Sequence, residues 1–126
     1  MNTLKKLSAL ENEASHFGFK WEKEEQIIAQ IRSELKEIEI DLKYQSDKHK
    51  LQEEIGDLLH AAFSLCIFCQ LDPEETLSKS ITKFEIRFRE TERLAKEQGL
   101  NDLNGQSFNK LMKIWDQAKK RINNHV

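Results

Sequence analysis

Two apolar stripes, one on each side of a short polar break, limit what this chain can fold into. Ile27, Ile31, Leu35, Ile38 and Leu42 recur every three or four residues, which lines one face of a helix from about Glu22 to Tyr44. After Gln45-Ser46-Asp47 the period resumes with Leu51, Ile55, Leu58, Leu59, Ala62 and Cys66, predicting a second long helix to about Gln70. So short a connection makes the two helices antiparallel neighbours. Turn residues are scarce elsewhere: 4 glycines and 1 proline among 126 residues are too few for a many-stranded sandwich or barrel. The expected fold class is all-α.

Other segments supply more helices. Leu4, Leu7 and Leu10 place one from about Leu4 to His16, stopped by Gly18. Asp72-Pro73-Glu74-Glu75 reads as a helix start, with Asp72 accepting from a free N–H, Pro73 in the first turn and Glu75 completing a capping-box-like pattern. That helix is expected to turn Leu77, Ile81, Phe84 and Phe88 inward and to end at Gln98, before Gly99. The last helix, capped by Ser107, aligns Phe108, Leu111, Met112, Trp115 and Ile122 on one side. The sum is a bundle of four to five helices forming a single domain over residues 1–126.

Composition narrows function. Charged residues are 33% and hydrophobic residues 38% of the chain, with net charge −2. That balance suits amphipathic helices around a modest core and opposes nucleic-acid binding, which calls for a clustered basic excess. The longest nearly apolar run, Ala61 to Cys69, falls far short of the ~20 residues that span a bilayer. The opening residues mix lysine with glutamate and carry no signal pattern, so the expectation is a cytoplasmic protein with no membrane partner. Cys66 and Cys69 fit a reducing compartment and read as small buried residues rather than a redox or zinc pair.

Four acids stand out. Glu34 and Glu37 lie three apart on the first long helix, as Glu54 and Asp57 do on the second, so each pair occupies neighbouring turns. Glu34 sits about 20° outside the apolar arc, and Glu54 about 40° from Leu58. Glu37 and Glu54 are equally distant from the turn, and so are Glu34 and Asp57; antiparallel packing sets each pair level across axes roughly 8–10 Å apart. Four carboxylates at a core edge repel one another unless a cation neutralises them, and hard oxygen donors suit Mg²⁺, with Mn²⁺ as a substitute, better than zinc. A solvated acidic face remains the competing reading, since charged helices carry such pairs by composition alone, as Glu22 and Glu25 do.

Two neighbours of these acids have their own readings. Gly56 costs up to about 1 kcal/mol inside a helix relative to alanine, which suggests close helix approach or ligand access. His60, three after Asp57, evokes a di-iron ligand pair, but the first helix offers Ile40 where a second histidine would be needed. A surface or structural role is expected instead.

Gly18-Phe19-Lys20-Trp21, Glu34-x-x-Glu37, Lys50-Leu51-Gln52-Glu53-Glu54-Ile55-Gly56-Asp57-Leu58-Leu59 and Lys83-Phe84-Glu85-Ile86-Arg87-Phe88, in that order, resemble the MazG nucleoside triphosphate pyrophosphohydrolase family. The similarity runs from about Glu13 to Arg121 and is greatest with the C-terminal domain of two-domain bacterial members. It implies the all-α NTP pyrophosphatase fold, assembly as a homodimer or homotetramer, and Mg²⁺-dependent hydrolysis of a nucleoside triphosphate to monophosphate and pyrophosphate. By the same resemblance Glu34, Glu37, Glu54 and Asp57 are the catalytic metal ligands. Lys50, Lys83, Arg87, Trp115 and Lys119 contact the substrate, the cations meeting phosphates and the tryptophan lying near the base or sugar. Read from the residues alone, Lys83 and Arg87 also fit a solvated stripe beside core phenylalanines, and Trp115 fits a core position.

The chain departs from the family pattern at Ser33, where a glutamate is common, at Gln30, where a lysine is, and at Ile81, where an asparagine is. Competing readings are a related all-α pyrophosphohydrolase acting on dUTP, dCTP or phosphoribosyl-ATP, a catalytically silent helical interaction module, and a di-iron oxidoreductase.

Overall fold

Short polar side chains start four of the helices. Asn2, Asp47 and Ser107 accept from the backbone N–H of Lys5, Lys50 and Lys110 at 2.8, 2.9 and 3.2 Å, satisfying donors that a helix start leaves open. The computed structural model describes residues 2–45 and 47–124, and every regular element among them is helical: α1 (Thr3–Phe17), α2 (Glu24–Lys43), α3 (Lys48–Phe68), α4 (Pro73–Glu97) and α5 (Phe108–Asn123). All five lie along the chain where the hydrophobic periodicity places them. Gly18 ends α1 with φ 98°, its N–H donating to the α1 carbonyls, the left-handed stop that glycine makes at least cost. Asp72 Oδ2 accepts from Glu75 N at 2.9 Å at the start of α4, as its sequence predicts. Of the polar break, Ser46 lies outside the described residues.

Contacts divide the chain into two compact units, Met1–Thr76 and Leu77–Val126. In the first, α2 and α3 form the antiparallel hairpin and α1 packs on α3. The buried seam is rotated from the expected stripe. Along α2 it follows Ile27, Ile31, Glu34, Ile38 and Asp41, while Leu35 and Leu42 are exposed. Along α3 it follows Leu51, Glu54, Leu58, Ala61 and Ser64, while Ile55 and Leu59 are exposed. A seam built of three- and four-residue steps is that of two helices packed side by side. Here it carries carboxylates at positions that would ordinarily be aliphatic.

The second unit is a smaller hairpin. Leu94 on α4 meets Ile114 and Ala118 on α5, with Leu100 and Leu103 of the connecting loop packed against them. Two expected faces are corrected. Leu77, Ile81, Phe84 and Phe88 are exposed, because this unit's core gathers at the C-terminal half of α4. On α5 the fully buried residues are Ile114 and Ala118, whereas Phe108 and Met112 lie outside. Glu90, buried on α4, accepts from Arg93 at 2.5 Å and from Arg121 at 3.0 Å. Arg121 also makes a bidentate pair with Glu97 at 3.2 and 2.8 Å. Burial alone would raise the Glu90 carboxyl, but hydrogen bonds from Arg93 and Arg121 outweigh it and hold the group below its usual range.

Candidate active site

The hairpin brings three carboxylates together. Glu34, Glu37 and Glu54 each place an oxygen so that all three lie within 4.8 Å of one another. Glu34 is only 7% exposed. Its Oε1 accepts from Gln30 Nε2 at 2.7 Å, while its Oε2 is buried without a hydrogen-bond partner, as is Glu54 Oε2. Buried acceptors left open in this way are costly, and three convergent oxygen donors fit a hard divalent cation. Asp57 stands outside this triad and shares the wall of an adjoining pocket with Glu34.

A fourth carboxylate joins the seam from a position the apolar pattern did not single out. Asp41, 5% exposed, lies seven residues after Glu34, two turns along the same buried line. Its Oδ1 is 3.5 Å from the Nζ of Lys50, whose side chain is otherwise exposed. The Glu54 carboxyl is pushed up to about 7, by burial first, then by hydrogen bonding and repulsion from Asp41, then by Glu37. Crowded, partly desolvated acids with perturbed titration of this kind cluster at functional sites.

The adjoining pocket, about 630 Å³, lies wholly within the first unit. Leu7 and Leu10 of α1 and Phe19 and Trp21 of the following loop give it apolar lining, and Glu34 and Asp57 also line it. Glu11 of α1 lines it too, accepting from Ser64 Oγ at 2.5 Å and meeting His60 Nε2 at 3.2 Å. His60 thus has the structural, surface-facing role that its sequence context predicts. Gly56 has no steric neighbour: a Cβ built there meets nothing within 4 Å, so close helix approach does not explain it. Cys66 is half-buried and Cys69 exposed beyond the end of α3, which corrects the reading of both as core residues.

The remaining sequence-derived candidates belong to the second unit. Lys83 is exposed and Arg87 half-buried on α4, and no ion pair among the described residues holds either side chain. Trp115 is half-buried, its ring centroid 5.9 Å from that of Phe84. Lys119 pairs with Asp116 at 3.4 Å.

Comparison with known proteins places this helical scaffold. A nucleoside triphosphate pyrophosphohydrolase/pyrophosphatase MazG of Thermotoga maritima is 38% identical over 110 residues, 87% of this chain and 41% of that protein. A nucleoside triphosphate pyrophosphohydrolase of Escherichia coli K12 is 29% identical over 119 residues, 94% of this chain and 45% of that protein. The chain belongs to the MazG family. It spans less than half the length of these MazG relatives. An uncharacterised Bacillus subtilis protein, YabN, is 37% identical over 73 residues, 58% of the chain and 15% of that protein. No family model matches. Among the described residues no single helix is long and apolar enough to cross a membrane.

Two polar features escaped the sequence reading of this MazG-family chain. Asp41 carries a findable signal, its seven-residue spacing from Glu34. The Glu11–Ser64 contact joins residues 53 apart in sequence, and no local pattern announces it.

Proposed function

We propose that this chain hydrolyses nucleoside triphosphates to monophosphates and pyrophosphate, using Mg²⁺ or, in its place, Mn²⁺. The observation that carries the reading is the Glu34, Glu37 and Glu54 triad with two buried, unpartnered oxygens. A divalent ion bound there would supply charge neutralisation for a polyphosphate and lower the pKa of a bound water. Asp57 completes the donor set in this reading, at the wall where the triad meets the pocket.

The protein's own groups divide the remaining work. Gln30 fixes the Glu34 carboxylate by its hydrogen bond, and Lys50 offsets Asp41, keeping the seam's negative charge tolerable before the ion binds. Lys83 and Arg87 supply cations for phosphate oxygens, with Lys119 as a further contact and Trp115 as an apolar surface for base or sugar. The names of the Thermotoga and Escherichia relatives support nucleoside triphosphate hydrolysis as the reaction.

Assembly as a homodimer or homotetramer is part of the proposal. Ile81 and Phe84 on α4 are 58% and 59% exposed, and Leu35 and Leu42 are exposed on α2. A second copy burying such side chains would gain roughly 25 cal/mol per Å² of apolar area.

The test is Mg²⁺-dependent pyrophosphate release from mixed triphosphates by the wild type and Glu54→Gln. The expected result is release by the wild type and loss of at least about a hundredfold in the variant, as when a required charge is removed from a catalytic site. Equal turnover by the two proteins would remove the metal-ligand assignment.

A further inference from the structure

The pocket beside the triad contains a polar device that phosphate chemistry does not use. Glu11 reaches it from α1 with a side chain 22% exposed. Ser64 Oγ and His60 Nε2 both engage the same atom, Glu11 Oε1. A carboxylate oxygen has two lone-pair directions, so Oε1 is occupied. Oε2 has no hydrogen-bond or ion-pair partner among the described residues, although it belongs to a carboxylate held in place through its other oxygen. The same pocket is lined by Leu7, Leu10, Phe19 and Trp21, which offer apolar and aromatic surface, in a space within the usual range of roughly 300–1,000 Å³ for small-molecule sites.

We propose that Glu11 is a specificity-determining residue whose Oε2 accepts from the exocyclic amino group of a nucleobase lodged in this pocket. The inference rests on the polyphosphate reading of the acids, because Glu34 and Asp57 line the same pocket and set the phosphate end of the ligand there. An ionised carboxylate offers acceptors and no donor. An amino group facing Oε2 satisfies it. A carbonyl at that place sets acceptor against acceptor and leaves both desolvated, the kind of mismatch by which a polar site rejects an analogue far more strongly than an apolar pocket can. Amino-bearing bases are therefore favoured over uracil and thymine. Ser64 and His60 are positioning residues, acting through Glu11.

Cytosine and uracil nucleotides make the sharpest comparison, since an amino group in one stands where a carbonyl stands in the other. The experiment measures kcat and KM for CTP and UTP with Mg²⁺ in the wild type, Glu11→Gln and Ser64→Ala. The wild type is expected to favour CTP by at least about tenfold in kcat/KM. Glu11→Gln, whose amide both donates and accepts, should narrow that ratio by about tenfold through KM, and Ser64→Ala should narrow it less. A wild-type ratio near one, or a ratio unchanged in both variants, overturns the proposal. If Glu11→Gln does not fold, Ser64→Ala carries the comparison.

Should the wild type cleave neither triphosphate, the hydrolase reading fails by itself, and the pocket is read separately by tryptophan fluorescence titration with cytidine and uridine in the presence of chelator. Tighter cytidine binding that weakens in the variants supports Glu11 as the reader, and equal affinities overturn it.

Discussion

Gln30 Nε2 donates to Glu34 Oε1 at 2.7 Å from one turn back on α2, directing Glu34 by one oxygen while the other stays buried and unpartnered. Outer hydrogen bonds of this kind typically change metal affinity about 10–100-fold when lost. Gln30→Leu is expected to weaken Mn²⁺ binding by that order in calorimetric titration, with helical content retained. Affinity equal to wild type would show that the contact does not orient a ligand.

The raised Glu54 carboxyl gives a pH dependence of definite sign. Unfolded, the group titrates near 4.5; folded, near 7. Its contribution to stability is full below the unfolded value and disappears as pH rises through about 7, because the native state alone retains the proton over that window. In chelator, the urea midpoint of the wild type should fall between about pH 5 and pH 8 more than that of Glu54→Gln. Divalent-ion binding at about pH 6 should also release protons, detectable as a buffer-dependent heat.

The second unit has the opposite dependence. Glu90 is held below its ordinary range despite burial that would raise it, by Arg93 and Arg121. Glu97 is lowered first by its Arg121 hydrogen bond, against a smaller effect of burial. Their contribution is present above the unfolded value near 4.5 and is lost as pH falls through the lower folded values. Arg121→Met should therefore unfold more easily at neutral pH and lose less stability on acidification than the wild type. Parallel acid-melting curves for the two proteins would contradict this.

Core truncation should show where the second unit's cohesion resides. Ile114 is fully buried against Leu94 and Ala118, and Ile114→Ala should cost about 2–5 kcal/mol in denaturant titration. At exposed Phe108, the same truncation in a dilute monomer should cost well under that amount.

Gly56 separates packing from access. With no atom within 4 Å of an added Cβ, Gly56→Ala should raise stability by about 0.5–1 kcal/mol. A loss of turnover alongside that gain would assign the glycine to ligand passage.

Helix boundaries were legible because they depend on local chemistry: Gly18, Asp72 and Ser107 act on backbone groups within a few residues of themselves. Which face turns inward was less legible. Hydrophobicity alone draws α2 through Leu35 and Leu42, but the neighbouring helix accepts Glu34 and Asp41 instead, a rotation that depends on what α3 presents in return. Asp57 illustrates the same limit: equal distance from the turn sets it level with Glu34 but does not aim its carboxylate into the triad.

Acids in the α2–α3 seam tie the hairpin's cohesion to its ionic surroundings. Where leucines would bind the helices through water exclusion alone, Glu34, Asp41 and Glu54 make the join a reversible one, tightened by whatever cation or proton quenches their repulsion. Such a scaffold would stiffen as it loads, so that for this protein occupancy and rigidity become one variable.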